Sequence, residues 1–210
     1  NIFAAYAAHK MGLPVDQLIV GSNSNDILTR FFQENDMSML EVSPSLSPSM
    51  DIQISSNFER LLFDLLDRDG DLVRETMDTF RSTGKMPLDK SRWELATRLF
   101  TGHRLSDEET LGAINAIHQS TGELVDPHTA VGIIAGWTQR LNPTSPLICM
   151  GTAHPAKFPD AVQAATGIRP ELPARLADLF EREERFTILD NSVQAIQAEI
   201  KKSNRAGVPA

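Results

Sequence analysis

Three groups of side chains in this sequence have the types and spacing to do chemistry. In the first, the apolar run Pro146-Leu147-Ile148-Cys149-Met150 ends at Gly151-Thr152-Ala153-His154-Pro155. A glycine lets backbone come close to a bound molecule, and Thr152 offers an O–H donor and lone pairs beside it. The second is Asp126-Pro127-His128-Thr129, a carboxylate and an imidazole at a proline turn. That pair suits acid–base work, and it suits plain helix capping by Asp126 equally well. The third is Ser55-Ser56-Asn57, with Arg60 one turn further on. Hydroxyl and amide donors at a helix start, with a guanidinium nearby, cradle an anion or simply cap the helix. Asn1, at the head of a helical pattern, carries the same two readings.

These groups need elements to position them, and the pattern supplies an α/β rhythm. Residues 2–11 are apolar at helical spacing, and Gly12 and Pro14 end that helix. Residues 17–20 read as a strand, residues 21–26 as a polar loop at its end, and Ile27, Leu28, Phe31 and Phe32 as one face of a helix. The serine- and proline-rich stretch 43–50 reads as a linker, long enough to be mobile or functional. Brief strands are expected at 51–54, 99–105, 122–125, 146–150 and 186–190. Helices are expected at 58–66, 72–80, 91–99, 130–137, 161–165, 172–180 and 192–202. Ser106 and Glu109 form a capping box for one more, through Ile117. Residues 58–98 break the rhythm and read as a helical insertion, and 203–210 as a flexible tail. In such a fold, ligands sit outside the carboxyl ends of parallel strands.

Composition narrows the function. The 210 residues carry a net charge of -8, with acids scattered along the chain. That argues against nucleic acid and anionic membrane as partners. Cys149 is the only cysteine, so an intrachain disulfide and a multi-cysteine zinc site are excluded. Its apolar surroundings make it an inert, buried thiol. The five histidines lack paired spacing, which argues against a metal site. No apolar run approaches membrane-spanning length and no signal peptide opens the chain, so a cytoplasmic location is expected. The first residue is not methionine, and a helix begins at once; the chain is expected to be part of a longer protein. No phosphate loop, zinc-protease helix or Gly-x-Ser-x-Gly elbow occurs.

Four segments together resemble the C-terminal part of threonine synthase, a pyridoxal-phosphate enzyme of the tryptophan-synthase-β-like (fold type II) group. They are Asn1-Ile2-Phe3-Ala4, residues 49–60 (SMDIQISSNFER), residues 126–132 (DPHTAVG) and residues 151–158 (GTAHPAKF). The resemblance covers nearly the whole chain and implies an open, mostly parallel sheet flanked by helices. It implies pyridoxal 5'-phosphate as cofactor and O-phospho-L-homoserine as substrate, converted with water to L-threonine and phosphate. By that resemblance Thr152 bonds the pyridine nitrogen and Asp126 lies near the cofactor ring. Asn1 is the last residue of the phosphate cradle, while Ser55, Ser56, Asn57 and Arg60 contact the substrate's anionic groups. The Schiff-base lysine lies outside this chain, so no catalytic residue is expected within it, and the missing N-terminal part is its partner. The chain alone is expected to be inactive. Two other readings stand beside this one: another fold type II enzyme, dehydratase-like, and a non-catalytic α/β interaction domain.

Overall fold

The computed structural model describes residues 2–205. The chain divides into two units, residues 1–171 and 172–210. The first is built on two parallel strands, β1 (Leu18–Ser22) and β2 (Phe100–Arg104), paired in register from Leu18 opposite Phe100 to Ser22 opposite Arg104. The expected α/β class is present, with a small parallel sheet flanked by helices.

Each face of the sheet is covered by one helix. Helix α2 (Ile27–Glu34) packs on one face and α7 (Pro127–Gln139) on the other. Two glycines set these seats. A Cβ on Gly102 would lie 2.7 Å from the Thr29 Cα of α2, and one on Gly21 would lie 2.9 Å from a Val131 methyl of α7. Side chains alternate along a strand, and Val20 pairs with Gly102 while Gly21 pairs with His103. Gly102 therefore opens the α2 face and Gly21 the α7 face.

Under α2 the core joins Val20, Phe31, Phe32 and Phe100 to Phe58, Leu61, Leu62, Met77 and Phe80. Phe31 meets Phe58 edge-on at 4.9 Å, and Phe32 stacks on Phe100 at 5.3 Å. Those partners come from α3 (Ser56–Leu65) and α4 (Gly70–Thr83), which with α5 (Lys90–Thr97) occupy the stretch 58–98. Helix α1 (Ile2–Lys10) lies against α3 and adds Tyr6 to this core. A second core holds Leu105, Ile114, Ile117, Ala130 and Val131, between α7 and α6 (Asp107–Thr121). Ser106 and Glu109 make the expected capping box at the start of α6, and Gly122 ends that helix at φ 78°. Helix α8 (Pro159–Thr166) packs on α6.

The second unit holds two single 3-10 turns, Ala174–Leu176 and Leu179–Glu181, and helix α9 (Val193–Arg205). The helix expected at 172–180 is therefore reduced to turns. Pro173 has no N–H to give, and Phe180, 86% exposed, finds no core to bury against. Of the expected tail, 203–205 end α9, and 206–210 lie outside the described residues.

The strands expected at 51–54, 122–125, 146–150 and 186–190 are irregular backbone among the described residues. A strand needs a neighbour to satisfy its N–H and C=O groups, and the described residues set none beside them. Ile148 is 75% exposed and Ile188 86%. Among the described residues no helix is long and apolar enough to cross a membrane. Gly102→Ala should cost about 1–3 kcal/mol, because overpacking here strikes backbone rather than a movable side-chain tip. Urea unfolding of the full-length protein measures this.

Candidate active site

Both strands of a parallel pair point their carboxyl ends the same way, so the segments leaving Ser22 and Arg104 emerge together. Leu105 N–H bonds the Ser22 carbonyl at 2.9 Å and prolongs the pairing by one residue. Asn23 and Asn25 follow β1, and both are buried. Buried amides must find partners, and these find the serine-rich loop. The Asn23 amide reaches Ser45 Oγ and Asp51 Oδ1, each at 2.7 Å, and Ser47 Oγ at 3.0 Å. The Asn25 amide donates to Asp51 Oδ1 at 2.9 Å and to the Ser43 carbonyl at 2.8 Å. Asp51 accepts further from Ser45 Oγ at 2.6 Å and Ser45 N–H at 2.9 Å. From the β2 side, Asp107 Oδ1 accepts the Leu46 N–H at 3.2 Å. The stretch 43–50, expected as a mobile or functional linker, is thus tied to the mouth of the sheet.

Helix α7 begins at the same mouth. Asp126 is its N-cap, Pro127 its first residue, and the Asp126 side chain is fully buried. Its Oδ1 accepts the His128 N–H at 3.0 Å and the His128 Nδ1–H at 2.8 Å, and its Oδ2 accepts the Thr129 hydroxyl. Burial alone would push this carboxyl up, but these side-chain and backbone donors outweigh it and hold it below the ordinary aspartate range. His128 Nε2 accepts the Ser49 N–H at 3.3 Å. The partners thus assign Nε2 as acceptor and Nδ1–H as donor. The Thr129 oxygen in turn accepts the Thr152 N–H at 3.3 Å. One hydrogen-bonded path runs Ser49–His128–Asp126–Thr129–Thr152. It joins two of the three chemical groups singled out above and adds the serine loop.

Thr152 itself is exposed, and a Cβ added at Gly151 meets nothing within 4 Å. Among the described residues its hydroxyl makes no hydrogen bond. A neutral hydroxyl beside open space, on a segment anchored from behind, fits the nitrogen of a flat heteroaromatic ring. The residues present thus fit pyridoxal phosphate on the ring side. Asn1 lies outside the described residues. Cys149 is half-buried, and burial pushes its thiol up, away from the reactive thiolate.

The third group divides. Ser55 is buried and caps α3, accepting the Phe58 N–H at 3.2 Å. Ser56 and Arg60 instead line a cavity of about 430 Å³ with Phe3, Glu59, Phe63 and Val73. The Arg60 guanidinium sits 5.9 Å from the Phe3 ring centre. Asn57 lies in the first turn of α3. No described hydrogen bond or ion pair joins Ser55, Ser56 or Arg60 to Asp126 or Thr152.

Asn23, Asp51 and Asp107 organise the mouth, and the sequence marks none of them as a site residue. Their signal is faint: an asparagine directly after a β-type run reads only as loop. Asp26, the N-cap of α2, makes no side-chain cap bond; its carboxylate pairs with Arg30 at 3.0 Å.

Comparison with known proteins now bears on this geometry. A family model described as "Threonine synthase, C-terminal" matches residues 129–200. All 210 residues align at 50% identity with threonine synthase of Pseudomonas aeruginosa, over 45% of that protein. Over its whole length the chain is similar to part of a threonine synthase. Yeast threonine synthase is 41% identical over 184 residues, 79% of this chain and 35% of that protein. A crystal structure of PLP-bound threonine synthase from Brucella melitensis superposes with a TM-score of 0.83 at 42% identity, over 97% of this chain and 44% of that one. The Escherichia coli enzyme superposes at 0.66 with 27% identity, over 96% of this chain and 41% of that one. The chain spans less than half the length of these relatives, and the family model that carries the C-terminal description covers residues 129–200.

Acid should test the Asp126 cluster. A carboxyl held low in the folded state contributes stability that is full above its unfolded value, about 3.9, and lost as pH falls through the lower folded value. Asp126→Asn should cost about 1–3 kcal/mol at neutral pH, because it leaves buried donors unmatched. It should also flatten the acid limb of the stability curve, as read by urea unfolding between neutral and acid pH.

Proposed function

We propose that the whole protein containing this chain is a pyridoxal-phosphate-dependent threonine synthase. It acts as a carbon–oxygen lyase on O-phospho-L-homoserine, consuming one water and releasing L-threonine and one phosphate. The observation that carries the reading is the 50% identity to a threonine synthase over an alignment that spans the whole chain. When bound, the cofactor supplies an electron sink for charge that develops on substrate carbon. On this reading the lysine that anchors it belongs to the rest of the protein, which acts in the cytoplasm, and residues 58–98 are a helical insertion.

The chain's own residues divide the work. Thr152 offers the pyridine nitrogen a neutral hydroxyl; unlike a carboxylate, it does not hold a proton there, which tempers the sink. Asp126 stays ionised and positions Thr129, and through it the Thr152 segment. Asn1 closes the phosphate cradle. Ser56, Asn57 and Arg60 take substrate anions at the head of α3, with Ser55 holding that head in place by its cap. Thr129 keeps the Thr152 N–H occupied, so the hydroxyl is what faces the ring.

The full-length protein should be yellow and should release inorganic phosphate from O-phospho-L-homoserine. Thr152→Val should lower turnover roughly tenfold, the worth of one well-made hydrogen bond, while the cofactor stays bound. A colourless protein that takes up no added pyridoxal phosphate overturns the proposal, and unchanged turnover in the valine variant removes Thr152 from the site.

A further inference from the structure

His128 stands where the serine loop and the Thr152 segment meet, and each of its nitrogens serves a different one. Nδ1–H points to Asp126 at 2.8 Å, whose other oxygen holds Thr129 and through it Thr152. Nε2 takes the Ser49 N–H at 3.3 Å. The ring is nearly buried and is flanked by Phe158 at 4.6 Å. Beyond that ring, the Lys157 ammonium stands 5.4 Å from its centre. Ser49 sits in a single 3-10 turn, Pro48–Met50, six residues before the Ser55 cap. Ser49 thus lies on the segment that leads to the head of α3, where Ser56 and Arg60 line their cavity.

We propose that His128 is a positioning residue for the reaction put forward above, on which this inference rests: its imidazole clamps the substrate-side loop to the cofactor-side segment, one nitrogen to each. Capping of α7 needs only Asp126 and its backbone partner. An imidazole with a donor on one side and an acceptor on the other does more, because it makes the two loops share one rigid reference.

Two variants separate the two bonds. In His128→Asn the amide N–H replaces Nδ1–H towards Asp126, and no acceptor reaches Ser49. In His128→Gln the side-chain oxygen reaches towards Ser49, and the bond to Asp126 goes. In the full-length protein His128→Asn should raise KM for O-phospho-L-homoserine roughly tenfold, the worth of one lost hydrogen bond, with kcat and the cofactor absorption band little changed. Hydrogen exchange at the Ser49 amide should quicken in the same variant by a similar factor. His128→Gln should shift the cofactor band and lower kcat, with Ser49 exchange close to wild type. Wild-type KM, kcat and spectrum in both variants overturn the clamp, as does unchanged Ser49 exchange in His128→Asn. A colourless, inactive wild-type protein strikes the functional reading, and with it the reaction role of His128; the exchange measurement is independent of that result.

Discussion

A carboxylate out of reach of water must be met by donors from the protein, and Asp126 is met by three. Two come from His128 and one from Thr129, all within the first turn of α7. The local cost of burying that charge is offset only while each donor stays in place. Those donors are themselves committed elsewhere: His128 to Ser49, and Thr129 to Thr152. A local requirement of one side chain thus becomes a constraint on two loops far apart in sequence. The arrangement of the mouth follows from this coupling together with the shared direction of β1 and β2.

The second constraint is the pair of buried asparagines after β1. Their amides have no water to turn to, and Asp51 collects them along with Ser45. The serine- and proline-rich stretch is poor in apolar residues and has no regular structure beyond one 3-10 turn. Side-chain hydrogen bonds order it in place of core packing. A loop held this way keeps one geometry and still lies at the surface, where a substrate can reach it.

Much of this architecture was legible in the sequence. The capping box at Ser106, the strand around Gly102 and the helix after Asp126 follow from local chemistry, and local chemistry decides them. The strand-like run 146–150 illustrates the opposite case. Its β-branched and apolar residues satisfy the propensity for a strand, but propensity supplies no partner, and Ile148 and Met150 remain exposed. The helix expected at 172–180 failed for a related reason, since Leu179 and Phe180 stay exposed. At the site, Asp126 and Thr152 could be named because they occur in recognisable segments. Asn23 and Asp107 could not, because their importance lies in contacts across more than twenty positions. Ser55 shows how one residue type serves two ends: its hydroxyl was a reasonable anion donor on paper, and in the fold it is spent on its own helix.

The two glycine seats govern alignment as well as spacing. Each strand can receive its helix at one position only, and the two positions sit on opposite faces and one residue apart in register. Sliding β1 along β2 by one step would turn a side chain into a gap that has no room for it. The sheet is consequently keyed like a two-sided lock, and the loops at its mouth inherit a fixed origin and direction before any side chain among them forms a bond.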